Sequence, residues 1–597
     1  MKRIKILACA LAALMPMAIA AQELDKTIVL DKDFRPVEKK VTKKSALPKV
    51  VKPVHSTEGS NISYSNWAQP TAVSTEIPTM LPYGYRTSHI FSNKRGYLDL
   101  GGGTQANLVG SAGYRLTDDD NLKVDAWLQH SSSWAGKNQT PVIADDALRL
   151  KQKFNDNVIG LDALVIPTPG TLKLGAKVHL DNFNYYGGTG TWWDDNKQTL
   201  LDVLVSGRWD GKAVVSDHDI AYHATAQLNY AGYDKSFTDL YKGAQDLYPH
   251  FDLGASFALN QSQRVGLNAY FDIISRTKRP DAGDNLKRTT STITLAPYYS
   301  FNTEHLSAVL GANVAFNHND GPSVRFTPNV SVSVEASPGF TVYGKAIGRK
   351  YFNSIASMAT LSRYSDPLAN YRNTACVVDA EGGIKVGPFS GFTAQVHVGY
   401  GAYNNRMMPY LPTSGYLPAG ADLATGTVPV TPEMRFAPVY YVPLRTRGWN
   451  VGAELSYKYR SLLEFTLKGA YAPQEDEVEG SKYKSYQLGL DNAKWTALGE
   501  VKAYPIKALS LNVGVELRGD RRVLVGDGVN VNAADEWTYT FLDLKDVTNL
   551  FAGASYRFDR NITIWAKAAN LLGKRTDVLY GQGAQKVSVM AGVGFVF

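Results

Sequence analysis

Apolar and polar residues alternate along the last eleven residues of the chain, from Val587 to the terminal Phe597. Because side chains of a β-strand point alternately to opposite faces, this period of two places the apolar residues on one face. That face comprises Val587, Val589, Ala591, Val593, Phe595 and Phe597. A strand with one wholly apolar face fits a position between lipid and a water-filled lumen.

The same alternation recurs in segments far apart in the sequence, such as Leu172–Leu180, Leu306–Phe316 and Leu509–Leu517. After the first 20 residues, no stretch reaches the roughly 18 consecutive apolar residues that a membrane-spanning helix needs. The 34 tyrosines are typical of the aromatic girdles of membrane barrels. A soluble β-propeller would show repeated blade motifs, which this sequence lacks. The pattern predicts an all-β fold, a transmembrane antiparallel barrel.

The first 20 residues have the features of a secretory signal peptide. The basic segment Met1–Lys5 precedes the short apolar run Ile6–Met17, and Ala18 and Ala20 provide small residues for cleavage. Removal of this segment leaves Cys376 as the single cysteine, so the mature chain has no intramolecular disulfide. We therefore expect an exported protein.

Ten short segments rich in Gly, Pro, Asn, Asp or Ser have the composition of tight turns. They are Thr117–Asn121, Thr168–Gly170, Asp210–Gly211, Gln261–Ser262, Asn302–Glu304, Ser337–Gly339, Gly387–Pro388, Arg460–Ser461, Tyr504–Lys507 and Asp559–Asn561. Outer-membrane barrels alternate short periplasmic turns with longer extracellular loops, so ten turns predict about 22 strands, within a range of about 20–24. The longest loops are predicted at residues 351–374, 404–444 and 518–544.

Near its C-terminus the chain resembles TonB-dependent receptors. Ile562–Lys574 is similar to their penultimate strand, in which an alternating segment ends in Asn-Leu-Leu or Asn-Leu-Phe before the closing strand. Leu490–Trp495 is similar to a receptor element that precedes a late strand. A last strand that ends in phenylalanine resembles the end of bacterial outer-membrane barrels. This resemblance implies that Phe595 and Phe597 belong to an assembly signal for the barrel-assembly machinery.

The chain departs from those receptors at its N-terminus, where they carry a folded plug. Here the alternation begins near Gly96–Leu100, and residues 21–95 are basic and interrupted by Pro48 and Pro53, with little to bury. Thr27–Leu30 followed by Asp33–Pro36 resembles the N-termini of Bacteroidota barrels that look like receptors without a plug. We expect a signal peptide at 1–20, an extended periplasmic or lumen segment at 21–95 and a barrel at 96–597.

The alternation points a set of charged and histidine side chains toward the lumen. They are Lys123, Asp125, Lys173, Lys177, His179, Lys345, Glu464, Lys468, Glu516, Arg518 and Lys567. Because the set contains both positive and negative charges, it predicts a hydrated lumen. A slight excess of positive charge would favour anions. The alternative is that these charges pair with one another for stability and solvation alone. The scattered basic residues form no nucleic-acid-binding motif.

No residue group makes a persuasive catalytic or metal site. Asp217–Asp219 has the residue types of a water-activating dyad, but it follows the predicted Asp210–Gly211 turn and is better explained as a polar strand start. Asp118–Asp120 and Asp194–Asp195 lack the spacing of a calcium-binding loop. We expect no enzymatic activity, no cofactor and no metal.

Two groups of loop residues are candidates for contact with an extracellular ligand or partner. They are Tyr185, Tyr186, Trp192 and Trp193 in one loop, and Met407, Met408 and Tyr410 in another. The first group can equally belong to the outer aromatic girdle. The second is apolar enough to fold inward as a constriction.

The sequence thus predicts an outer-membrane barrel of a Gram-negative bacterium, used for solute transport or as a pore component. The alternatives are a scaffold for a periplasmic or surface lipoprotein and, least favoured, a surface hydrolase. A lumen of this size needs filling by long loops, by a partner, or by residues 22–92 held against Asp125, Glu464 and Glu516. Expected partners are outer-membrane lipid, the assembly machinery and such a lipoprotein.

Overall fold

A computed structural model describes residues 94–134, 153–167, 170–185, 197–215, 218–235, 243–276, 289–366, 371–412, 439–478, 484–485, 493–526, 539–579 and 582–597. Nearly all regular structure in these ranges is β-strand. The first strands are β1 (Gly96–Gly103), β2 (Leu108–Asp118), β3 (Leu122–Ser133), β4 (Phe154–Val165), β5 (Gly170–Asn184), β6 (Lys197–Val215), β7 (His218–Tyr233), β8 (Gln245–Ala258), β9 (Gln263–Arg276), β10 (Thr289–Asn302), β11 (Leu306–His318), β12 (Val324–Ser337), β13 (Phe340–Tyr351) and β14 (Thr374–Phe389).

The later strands are β15 (Phe392–Pro412), β16 (Tyr440–Tyr459), β17 (Leu463–Tyr471), β18 (Gln474–Val478), β19 (Lys484–Ser485), β20 (Trp495–Ile506), β21 (Leu509–Gly519), β22 (Arg521–Gly526), β23 (Tyr539–Leu544), β24 (Val547–Arg557), β25 (Ile562–Ala569), β26 (Asp577–Leu579), β27 (Gln582–Gly583) and β28 (Ser588–Val596). A single helix, α1 (Ile355–Leu361), and a 3-10 turn at Thr104–Ala106 complete the regular structure of the described ranges. Among these residues, no helix is long and apolar enough to cross a membrane.

Twenty-two of the strands pair into a closed antiparallel barrel. The ring runs from β1 to β17 and continues through β20, β21, β24, β25 and β28, which pairs with β1. The predicted fold class and strand number are therefore confirmed. Beyond the ring, β18 pairs with β16, and β22 and β23 form a hairpin whose β22 runs parallel to the end of β15.

Short connections and both ends of the barrel lie on one rim, which we call the short-turn rim. The amides of Arg95 and Gly96 donate to the carbonyl of Phe597, at 2.7 and 2.8 Å. Turns fall where the sequence predicts them between β12 and β13 and between β24 and β25, among others. Because each polar turn is local in sequence, its composition identifies it without reference to distant contacts.

Two predicted turns are wrong. Asp210 and Gly211 lie inside β6, which continues to Val215. Gly211 is explained by the ring of Tyr222 on β7, which occupies the space that a Cβ atom would need. Gly387 and Pro388 likewise belong to β14, and the turn that follows is made by Ser390 and Gly391.

The opposite rim of the barrel, where the long loops lie, is called the long-loop rim. It contains more strand residues than the sequence predicts. Met407 and Met408 lie within β15, which extends to Pro412, so they are not part of a loop. Both side chains are buried. The predicted loops at 351–374 and 518–544 likewise contain α1 and the β22–β23 hairpin. These extensions follow from pairing between distant strands, to which local composition is insensitive.

The two faces of the wall differ in polarity. Apolar side chains such as Leu174, Val178 and Val513 are exposed on the outer face, which suits lipid. The opposite, inner face carries ion pairs between neighbouring strands, such as Lys177 with Asp202 at 3.2 Å. The wall is therefore apolar outside and polar inside.

Where β25, β28 and β1 meet, which we call the closing seam, one inward aromatic ring spans three strands. The indole of Trp565 covers Gly592 on β28 and Gly101 on β1, and neither position has room for a Cβ atom. Its Nε1 donates to the Asp99 carboxylate, 3.0 Å from Oδ1. Glycine is required at both positions because the ring packs directly on the backbone.

Candidate functional site

Residues 352–366 and 371–373, which we call the crossing loop, connect β13 to β14. Its helix α1 begins at a favourable N-cap, because the Ser354 hydroxyl accepts a hydrogen bond from the Ser357 amide at 3.2 Å. Ile355 and Met358, three residues apart, lie on one face of the helix and are fully buried. The helix therefore packs against the inner wall rather than projecting into solvent.

The two chain segments at the base of the crossing loop, residues 352–353 and 371–373, form its stalk. Arg276 on β9 donates to the carbonyls of both segments, from Nη2 to Asn353 at 2.6 Å and from Nη1 to Tyr371. The Asn353 side chain also donates to the Arg372 carbonyl at 2.6 Å. A single guanidinium on the wall thus holds both segments of the stalk.

Two carboxylates fix the stalk and the helix to neighbouring elements. Asp320, in the β11–β12 turn, accepts from Lys350 Nζ at 2.6 Å and from Asn373 Nδ2 at 2.8 Å. Asp246 on β8, whose side chain is fully buried, accepts from the Ile355 amide at 2.7 Å. The base of the crossing loop is therefore held by charge-assisted hydrogen bonds.

The tip of the crossing loop, residues 362–366, reaches strands far from its origin. Arg363 lies 3.2 Å from Asp181 on β5 and 3.5 Å from Asp156 on β4. Its guanidinium carbon also lies 3.9 Å from the centroid of the Phe154 ring. The side chain is 7% exposed, so this is a buried cation between two carboxylates and an aromatic face.

Aromatic residues hold the tip on the β5 side. The ring of Tyr364 packs edge-on against Phe183 at 5.7 Å. The hydroxyl of Tyr185, immediately after β5, donates to the Ser365 carbonyl at 3.1 Å. Burial raises the pKa of Tyr185 well above its ordinary value, so the phenol keeps this donor proton even in alkaline solution.

Backbone hydrogen bonds hold the tip on the β16 side. The Val439 amide donates to the Tyr364 carbonyl at 2.7 Å, and the Asp366 amide donates to the Val439 carbonyl at 2.9 Å. The hydroxyls of Ser365 and Tyr441 lie 2.9 Å apart. Ser365 therefore bonds to residues at β5 and on β16.

The contacts of Ser365 with Tyr185, next to β5, and with Tyr441, on β16, place the tip across the lumen. In the 22-strand ring, β5 and β16 are eleven strands apart in either direction. A residue that touches both sides of a closed ring lies over its interior. The crossing loop therefore spans the lumen near the long-loop rim.

Below the crossing loop, the inner wall of β5 to β9 carries two hydrogen-bonded groups, around Asp202 and around Asp272, which together we call the polar belt. It consists of Lys177, His179, Asp202, Asn229, Tyr248, His250 and Asp272. Asp272 accepts from the Tyr248 hydroxyl at 2.6 Å and contacts His250 Nδ1 at 2.7 Å. His179 Nε2 lies 3.0 Å from Asp156, the carboxylate that also contacts Arg363. The polar belt and the tip thus share one carboxylate.

The residues predicted to line the lumen all lie on the inner face, and several pair with a neighbour. Asp125 contacts Arg115 at 2.7 Å, Lys345 contacts Glu381 at 3.2 Å and Lys468 contacts Glu454 at 2.9 Å. Arg518 pairs with Glu516, Lys123 lies near Asp118, and Lys567 lies over Trp565. Lys173 and Glu464 occupy the same face, opposite Arg208 and Lys502 in the ladder. This pairing agrees with the alternative in which the inward charges pair for stability and solvation alone. A role of these residues in solute passage stays a prediction.

The candidate loop residues are distributed differently from the prediction. Tyr185 is buried under the tip rather than presented to the outside. Tyr410 continues β15, where its backbone pairs with Leu524 of β22. Tyr186, Trp192 and Trp193 lie outside the described residues, as do Asp217 and residues 1–93, which hold the predicted signal peptide and nearly all of the N-terminal segment. In the described ranges, no group of three or more His, Cys, Asp or Glu side chains is arranged to hold a metal ion.

Sequence reasoning missed Arg363, Asp156, Asp181 and Arg276, which hold the crossing loop. Asp156 and Asp181 are direct partners across β4 and β5, and two facing carboxylates on neighbouring strands require a cation. That pairing becomes visible only when the register of the two strands is known. Arg363 itself does not lie in an alternating segment, so no sequence pattern identifies it as a contact residue.

A closed 22-strand barrel with an apolar outer face and a polar inner face is the architecture of an outer-membrane β-barrel protein, and this protein lies in the outer membrane of a Gram-negative bacterium. No family model matches the chain, and no curated protein matches it.

Solved structures with the same fold include a ferric enterobactin receptor and a siderophore receptor. A mutant ferric enterobactin receptor, PfeA, of Pseudomonas aeruginosa superimposes with a TM-score of 0.59 at 12% identity, covering 84% of this chain and 80% of that one. The siderophore receptor PirA of Acinetobacter baumannii gives 0.58 at 11% identity with the same coverage. FpvAI, in its complex with pyocin S2, gives 0.54 at 13% identity and covers 84% and 73%. At identities this low, the three TM-scores show a shared fold alone.

Proposed function

We propose that this protein carries solutes across the outer membrane through a barrel of the TonB-dependent receptor type, whose mouth is closed by its own crossing loop instead of a plug. The shared fold with siderophore receptors supports a transport role. The polar inner face supports a hydrated path. The observation that carries the proposal is the pair of contacts that Ser365 makes to opposite sides of the ring.

A barrel of this size needs a closure. Porins of 16–18 strands leave an aqueous channel, and 22-stranded transporters have a filled lumen. Here the crossing loop supplies a closure near the long-loop rim, where it is tied to β4, β5, β8, β9 and β16. Below it, the polar belt provides hydrogen-bonding side chains along the wall.

The basic segment at residues 21–95 is the second part of the proposal. It closes the lumen from the periplasmic side or binds a periplasmic partner. Of the carboxylates proposed to receive it, Asp125 already contacts Arg115, and Glu516 contacts Arg518. A lysine-rich segment would therefore join existing ion pairs rather than neutralise isolated charges.

Single-channel conductance of the purified full-length protein in planar bilayers tests the transport role. We expect a low basal conductance, and a large stable conductance when residues 355–366 are replaced by a Gly-Ser linker of equal length. A matched variant lacking residues 22–60 reports separately on the N-terminal segment. A barrel that stays folded and sealed in a variant carrying both changes would contradict the proposal.

A scaffold in a complex with a lipoprotein is the second candidate, because the tip is held by a buried ion pair and by backbone hydrogen bonds, as a permanently closed mouth would be. A wild-type barrel that is sealed at all voltages and co-purifies with a stoichiometric lipoprotein would favour this function over transport.

A further inference from the structure

The crossing loop is attached to the barrel in two different ways. Its stalk continues directly from the paired ends of β13 and β14, where Tyr351 faces Thr374 in the ladder. Its tip reaches β4, β5 and β16 through side chains and an isolated bridge between Ser365 and Val439. The stalk cannot leave the wall without breaking the barrel ladder, whereas the tip can.

We propose that the crossing loop is a gate that pivots on its stalk, and that the contact of Arg363 with β4 and β5 is its latch. The proposal rests on the transport function, because it describes how that path opens. The Arg276 clamp and the Asp320 carboxylate keep the stalk in place while the tip moves.

The wall keeps a partner for one of the two carboxylates that Arg363 contacts. Removing one partner of a buried ion pair is costly when the other charge is left uncompensated. Asp156 has a second partner besides Arg363, since His179 Nε2 lies 3.0 Å from its other carboxylate oxygen. Lys177, 3.2 Å from Asp202, supplies a further cation on the same inner face. The released guanidinium enters water, where it is solvated.

Paired cysteines locate the moving end. Ser365→Cys with Val439→Cys joins the two bridge partners. Neighbouring strands are typically about 4.8 Å apart, within the Cα separation that a disulfide accepts. Tyr351→Cys with Thr374→Cys is the matched control, since it joins strands that the ladder already joins. Both pairs are made in a Cys376→Ala background. We expect the first disulfide to abolish openings and reduction to restore them, while the control disulfide leaves them unchanged.

Substitution of the latch gives the opposite effect. Arg363→Ala should raise the open fraction by about tenfold or more, as expected for loss of a buried ion pair, and Arg363→Lys should retain part of the closure. Openings that persist unchanged in the tip disulfide would overturn the gate and leave the transport function standing.

Hydrogen exchange tests the gate even if the barrel never conducts. In wild-type protein in nanodiscs, the amides of the tip at 364–366 should exchange at least tenfold faster than those of the stalk at 353–354. Equal exchange of tip and stalk would contradict a pivot, whatever the conductance.

Discussion

The closing seam and the crossing loop both join distant parts of the chain, but they do so with different bonds. At the seam, Trp565 meets Asp99 across 466 residues, on top of a continuous backbone ladder between β28 and β1. At the tip, Arg363 meets Asp181 across 182 residues, with an isolated bridge as its backbone support. The seam is therefore part of the barrel's cooperative structure, and the tip is separable from it. Variants at the two places should differ accordingly.

Deletion of Phe597 should have the largest effect. It removes the carbonyl that accepts from Arg95 and Gly96 and the ring that stacks on Tyr114 at 6.3 Å. We expect a strong loss of assembled barrel, measured as surface level and as heat-modifiable gel mobility. Phe597→Ala keeps the backbone bonds and should assemble better. Normal assembly of the deletion variant would show that the last residue is not part of the assembly signal.

Trp565→Ala tests the seam after assembly. Loss of a large buried aromatic side chain typically costs about 3–5 kcal/mol, and here it also leaves two glycines uncovered. Denaturant unfolding in lipid vesicles should report a loss of that size. Trp565→Phe is the control, because it keeps a ring over Gly592 and loses the hydrogen bond to Asp99. An unchanged unfolding free energy in Trp565→Ala would mean that the ladder alone holds the seam.

Arginine substitutions on β21 test the wall between the two places. Val513 is 49% exposed on the outer face, whereas Asn512 faces inward and donates to Glu500 at 3.2 Å. We expect Val513→Arg to cost about 2–4 kcal/mol in lipid and Asn512→Arg about 1 kcal/mol or less. Denaturant unfolding of both variants provides the comparison. Equal costs would show that the assignment of the two faces is wrong.

The wall could be predicted from sequence, whereas the crossing loop could not. The period of two in Leu511, Val513 and Val515 is local, and a turn such as Ser337–Gly339 is fixed by its own residues. The course of β6 through Asp210–Gly211 depends on Tyr222 in the next strand, so composition predicts a turn there wrongly. The tip depends on Arg363 meeting strands nearly 200 positions earlier, for which one sequence carries no signal.

Tyr185→Phe should have the smallest effect, confined to the tip. It removes the hydroxyl that donates to the Ser365 carbonyl at 3.1 Å and keeps the ring against Phe183. A hydrogen bond of this kind contributes about 0.5–1.5 kcal/mol, so exchange of the tip amides should rise by roughly two- to tenfold. The unfolding free energy of the barrel should stay unchanged, because the ladder does not depend on this bond. Tyr441→Phe removes the partner of the Ser365 hydroxyl on the opposite side and should act in the same way. If either variant lowered barrel stability without changing exchange at the tip, the crossing loop would be a cooperative part of the wall, and the contrast with the closing seam would fail.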